Sequence, residues 1–296
     1  MVDSGGLRPA LALLANAFVW GVSWWPFREL QAQGMHPLWA TAGIYALTVV
    51  AMFVWRPGVL RQCVGHPLLW LLAAVAGLTN VGFNWAVTIG DVLRVVLLFY
   101  LMPAWSVLLA WPLLGERPTA AGLLRLVLAL AGVVVVLDAG SAGWPVPRNG
   151  ADWLAMMAGL CFAFTNVLLR KMEQVPAPAR VMAMFAGGMV LAAFTAGLGL
   201  AQGLIAAPQM QASGLPVALV LGVAFLLGNV ALQYGAARLP AHTTALIMLS
   251  EVVFASISSI ALGAATLTLH TAVGGALILA AAVWAAWPQK PHPVAQ

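Results

Sequence analysis

Asn80-Val81-Gly82-Phe83-Asn84-Trp85 and Asn229-Val230-Ala231-Leu232-Gln233-Tyr234 follow one pattern: Asn, Val, a small residue, an apolar residue, an amide and an aromatic. Each string sits inside a long apolar run. Pro103 lies 23 residues beyond the first Asn and Glu251 lies 22 beyond the second; twelve residues further on, each half reaches the glycine of a Leu-Gly pair, Leu114-Gly115 and Leu262-Gly263. Spacing that persists while residues drift marks a chain built from two related halves, and inside apolar sequence it marks a membrane protein with internal repeats.

Composition sets the solvent. Hydrophobic residues make up 63% of the 296 positions and charged ones 7%, with a mean hydropathy of +0.98. An average soluble domain has about 45–50% and about 25%. So little polar surface cannot cover a globule, and lipid must surround most of the chain. Unpaired backbone groups are costly in hydrocarbon, so the spans must be helices or closed strands, and runs of about 20 apolar residues without alternation select helices. The first run imitates a signal peptide, with Arg8 ahead of it and Ala15-Asn16-Ala17 resembling a cleavage site. It continues apolar through Phe27, however, and the repeat needs it, so it is expected to remain as a span.

Charged, Pro and Gly-rich joints divide the chain into ten expected spans, near 9–28, 37–55, 67–88, 92–114, 119–138, 151–170, 180–202, 214–236, 241–262 and 267–287. The expected organisation is a first five-helix repeat over 1–140, a second over 150–288 and a short tail over 289–296. With the N-terminus inside, Arg8, Arg56, Arg61, Arg117, Arg125, Arg170, Lys171, Arg180, Arg238 and Lys290 are cytoplasmic, against Arg28, Arg94 and Arg148 on the other side. The positive-inside rule therefore predicts two cytoplasmic termini. Trp55 and Trp287, and Trp144 and Trp153, fit aromatic belts at the two interfaces. An odd number of helices per half forces the second repeat to be inverted, which places a central cavity where the halves face one another.

Polar groups inside the bilayer are costly unless paired or wetted, so they point to function. Asn80 and Asn84 share one helix face, as do Asn229 and Gln233. Two matched ladders either line a pathway or bond across helices. Glu251 is the one acidic residue expected near mid-membrane; it either binds an ammonium group or carries a proton, or is hydrogen-bonded to a neighbour such as Ser250 or Asn229. Trp20, Trp24 and Asn166 fall on the equivalent first helices of the halves, and Tyr100 and Met248 on equivalent fourth helices. These residues suit the wall of a cavity for apolar side chains, or plain packing. Arg94, at the outer end of its helix, attracts a carboxylate or snorkels to headgroups. Gly21, Pro26 and Pro103 are candidate hinges, while Gly187-Gly188 and Gly274-Gly275 read as packing faces.

Reactive chemistry has no visible constellation: there is no phosphate loop, nucleophile elbow or metal spacing, and Cys63 and Cys161 stand apart. Neither an enzyme nor a cofactor nor a metal is expected. The expected partners are a small-molecule substrate and membrane lipid, without nucleic acid, for a chain acting as a monomer.

Three features together resemble the EamA-type ten-helix members of the drug/metabolite transporter superfamily. They are Phe18-Val19-Trp20-Gly21, the run Leu113-Leu114-Gly115-Glu116-Arg117-Pro118-Thr119 with its weaker echo Ala261-Leu262-Gly263-Ala264, and the five-plus-five repeat. The chain is most similar to the YddG-like bacterial exporters of aromatic and other neutral amino acids. The resemblance implies an inner-membrane carrier working by alternating access, with spans one, three, four, six, eight and nine around a cavity and spans five and ten outside. The chain departs from the pattern at Ala264, where a Glu is missing, and at Glu251, where many relatives carry Pro; that change is expected to remove a helix break from the second half.

Overall fold

A computed structural model describes residues 4–90, 92–136, 147–209, 211–263 and 267–286. The described residues are helical, without strands. In chain order the helices are α1 (Ser4–Val22), α2 (Trp24–Ala32), α3 (Pro37–Trp55), α4 (Val59–Val64), α5 (Pro67–Ile89), α6 (Val92–Phe99) and α7 (Met102–Leu114). They continue with α8 (Ala120–Val136), α9 (Gly150–Lys171), α10 (Ala177–Ala201), α11 (Gly214–Ala236), α12 (Ala241–Met248), α13 (Ser250–Ala261) and α14 (Leu269–Ala286). Seven segments are long and apolar enough to cross a membrane: Leu7–Ala32, Pro37–Trp55, Pro67–Ala86, Gly150–Lys171, Ala177–Ala201, Gly214–Ala236 and Ala241–Ala261. Three expected spans yield shorter apolar helices, Met102–Leu114, Ala120–Val135 and Ala272–Ala285. The fourth span is short because it comes in two pieces, α6 and α7. Trp144, Ala264, Trp287 and Lys290 lie outside the described residues, as does the side chain of Arg94.

The interruptions have local causes. Pro103 brings no N–H to the carbonyl of Phe99, and the chain turns at Tyr100 and Leu101 between α6 and α7. Pro26 likewise leaves the carbonyl of Val22 without its partner, and the chain breaks at Ser23, whose hydroxyl donates to the Trp20 carbonyl at 2.7 Å. The expectation that Glu251 removes the break from the second half is corrected: α12 ends at Met248 and α13 begins at Ser250. No proline is needed, because the Ser250 hydroxyl takes the Ile247 carbonyl at 2.7 Å and the backbone tightens to i→i+3 bonds at Leu249.

Packing pairs the helices in a repeating way. α1 lies against α11 and α13, and α9 lies against α5 and α7; α3 packs on α10, and α8 on α14. Several of these contacts depend on glycine. A Cβ on Gly187 would overlap the Ala73 carbonyl, so α10 and α5 touch backbone to backbone. A Cβ on Gly21 would come within 2.7 Å of the Glu251 carbonyl oxygen, which holds α1 directly on the start of α13. α8 and α14 pack chiefly on each other, with the Arg125 guanidinium 5.5 Å from the Trp284 ring, and α14 joins the rest of the fold along α12 and α13.

Candidate functional site: a cavity among broken helices

The three helix breaks, at Ser23, Tyr100-Leu101 and Leu249, all border one cavity of about 910 Å³. Its walls come from α1, α2, α3, α5, α6, α9, α10, α11, α12 and α13, with the break residues Ser23 and Tyr100 between them, and no lining residue comes from α8 or α14. Of the residues singled out in the sequence, Trp20, Trp24, Asn80, Asn84, Tyr100, Asn229, Met248 and Glu251 meet on this wall, and Gly21 joins them. Asn166 and Gln233 do not: both are buried within helix contacts. Pro26 lies inside α2 and Pro103 at the start of α7.

The amide ladders turn much of their hydrogen bonding inward. The Asn80 side chain accepts from the Tyr45 hydroxyl at 3.1 Å and donates to the Ala76 carbonyl at 2.9 Å. Asn84 donates to the Thr41 hydroxyl at 3.2 Å. On the opposite wall Gln233 donates to the Met184 thioether at 3.1 Å and to the Asn229 side-chain oxygen at 3.5 Å. The two readings of the ladders are thus combined, since these amides bond across helices while Asn80, Asn84 and Asn229 also border the cavity.

Glu251 has neither Ser250 nor Asn229 as its partner. Its carboxyl is hydrogen-bonded to the Tyr100 hydroxyl, so the break between α6 and α7 meets the first turn of α13. Trp24 spans the same seam nearer the cavity's mouth, which Gln31, His36 and Ile260 border, its indole N–H donating to the Ser258 hydroxyl at 2.9 Å. Phe99 packs against Phe83 and Phe162, with ring centroids 4.9 and 6.0 Å apart, giving the wall an apolar, aromatic character.

Two spans outside the expected six also supply the wall: Tyr45 from α3, and Met184 and Phe185 from α10. A tyrosine inside an apolar run was a usable signal for Tyr45, because a buried hydroxyl seeks a partner. Met184 and Phe185 offered none, being ordinary residues of a membrane helix. Asn16 is fully buried and donates to the Met248 thioether at 3.4 Å; in the sequence it stands out only within a small-x-small string.

At the opposite end from the mouth, the Leu-Gly-Glu-Arg run carries out three structural tasks in succession. Gly115, at φ +71°, ends α7 in the left-handed conformation. Glu116 then receives the Ala241 N–H at 3.1 Å, capping α12, and lies 3.7 Å from both Arg170 and His242. Thr119 accepts the Gly122 N–H at 3.0 Å as α8 begins. Arg170 extends the cluster to the Glu173 carboxylate at 2.9 Å and the Ala237 carbonyl at 2.7 Å. The ends of α7, α9 and α11 and the start of α12 are thereby tied together.

Residues 7–138 match the EamA-like transporter family. That match supports a multi-pass membrane transporter of small molecules. A solved structure described only as "Crystal structure of protein" is similar over 94% of this chain and 96% of its own, with a TM-score of 0.76 and 19% identity, a likeness of fold alone. No curated protein matches the chain.

Proposed function

We propose that the chain is a ten-span secondary carrier, two inverted five-helix repeats over 1–140 and 150–288, exporting aromatic and other neutral amino acids and related metabolites across the bacterial inner membrane. The observation that carries this reading is the cavity of about 910 Å³, walled by helices from both ends of the chain, with the Glu116 cluster joining the ends of α7 and α9 to the start of α12. The helix pairing supports the repeat: α1 on α11 and α13 has its counterpart in α9 on α5 and α7. The positive-inside rule puts the Glu116 cluster in the cytoplasm and the mouth, bordered by Gln31, His36 and Ile260, outside. In this outward-open arrangement, substrate leaves toward the exterior and the cluster must part before the next is loaded. Trp20, Trp24, Phe99, Met184 and Met248 hold an apolar side chain, and the three broken spans supply the flexing points for rocking.

The second reading is a channel or lipid-handling protein. It is favoured if Asn80 and Asn229 sit in dry helix contacts, and their place on the cavity wall supports the carrier instead. Counterflow of labelled Phe, Trp, Met or Thr into preloaded liposomes containing the purified chain is the test. Counterflow of at least one is expected; failure of all four removes the amino-acid claim.

A further inference from the structure

The cavity's charge chemistry is one-sided. Among the described lining residues, Glu251 is the only carboxyl and no Lys or Arg is present; the other titratable groups facing the space are Tyr45, Tyr100 and, at the mouth, His36. Nine aromatic rings line the same space, and the face of an aromatic ring attracts a cation. Three of the neutral donors on the wall each turn an N–H toward the protein instead: Asn80 to Ala76, Asn84 to Thr41 and Trp24 to Ser258. A zwitterionic amino acid would bring a carboxylate into an apolar space already holding Glu251, leaving it poorly paired.

We infer that the Glu251–Tyr100 pair is a binding site for a single ammonium group, and that the cavity takes aromatic amines without a carboxylate in preference to the corresponding amino acids. The inference rests on the carrier reading above in taking this cavity as the substrate site. The amine nitrogen sits against the Glu251 carboxyl, with the Tyr100 hydroxyl fixing that carboxyl's direction across the seam between α6 and α13. The aromatic body of the amine lies among Trp20, Phe99 and Phe162.

Three ligands sharing one ring separate the charges: phenethylamine carries only the ammonium, phenylalanine both groups, and phenylpropionate only the carboxylate. Tryptophan fluorescence of the full chain in nanodiscs reads binding. Phenethylamine is expected to bind about tenfold or more tighter than phenylalanine, with phenylpropionate weakest. Glu251→Gln is expected to reduce amine affinity by about tenfold or more and Tyr100→Phe by a smaller factor, at unchanged ligand-free melting. The wild-type ligand series needs no variant, so a folding defect in Glu251→Gln leaves the inference open to refutation. Phenylalanine binding as tightly as phenethylamine, no detectable amine binding, or undiminished amine binding by a folded Glu251→Gln would each overturn it. Liposome counterflow distinguishes the two readings. Amine binding without counterflow of either compound sinks the carrier and leaves the site standing; counterflow of phenylalanine without amine binding keeps the carrier and sinks the inference.

Discussion

His36 illustrates how much one side chain can do at the mouth of such a cavity. It caps α3 by accepting the Leu38 N–H on Nδ1 at 3.2 Å, which places the proton of the neutral ring on Nε2. Burial lowers its pKa below the usual 6.5. The unfolded chain therefore takes up this proton first as pH falls, and the capping contribution, full above about pH 6.5, is lost on the way down toward the folded-state value. Thermal melting of the purified protein should drop between about pH 7.5 and about pH 5.5 by an amount corresponding to one cap, about 1 kcal/mol. His36→Asn, which caps without titrating, should remove that part of the drop; an identical pH profile in the variant would show that His36 does not set it. At this scale the sequence was only partly legible. Glu251 and Tyr100 were each visible as polar groups in apolar runs, but their hydrogen bond joins residues 151 positions apart, and no local pattern encodes it. Asn166 had the same sequence signature as Asn80, yet it faces a helix contact, because a period of 3.6 residues fixes which positions share a face and not what that face meets.

The helices themselves were far easier to read. The bounds expected for 37–55 and 214–236 are those observed, since apolar runs end sharply at His36-Pro37, Arg56 and Ser213. The breaks were harder to foresee. Proline announces those near Ser23 and Leu101, whereas the break at Leu249 comes from a serine hydroxyl competing for a carbonyl, an event serine often leaves unrealised. Packing between helices is the most demanding property at this scale. α5 and α10 meet at Gly77 and Gly187 so closely that Gly187 has no room for a methyl group, and Gly187→Leu should destabilise the fold by about 1–3 kcal/mol or more through forced separation. A fall in melting temperature and in the monodisperse fraction after extraction would register it. Gly197, which has open space around its Cβ position, is the control on the same helix and should accept Leu with little change. Equal loss in both variants would mean that helix propensity, not the close contact, governs α10.

For the whole molecule, the Glu116 cluster and the cavity mouth stand at opposite ends of the span from Ala241 to Ala261, about 30 Å apart at 1.5 Å per residue. Opening one end while closing the other is then a matter of the relative stability of two arrangements, and the cluster contributes to only one of them. Glu116→Gln keeps an acceptor for the Ala241 N–H but removes the charge facing Arg170, at a cost of roughly 1 kcal/mol, or about fivefold in the equilibrium. With Cys63 and Cys161 replaced by Ala and Ser106→Cys introduced as a buried reporter, labelling by a hydrophilic maleimide should be about fivefold faster in the Glu116→Gln protein. Unchanged labelling would assign the cluster to folding alone. The pairing of α8 with α14 and their absence from the cavity wall have a practical side. These two helices contribute nothing to the cavity wall, yet α14 packs on α12 and α13, so a rigid epitope or fluorophore placed at the exposed start of α8 or α14 would follow the wall as it moves. A protein of this size, with almost no mass outside lipid, could then be tracked by imaging without any alteration to its binding residues.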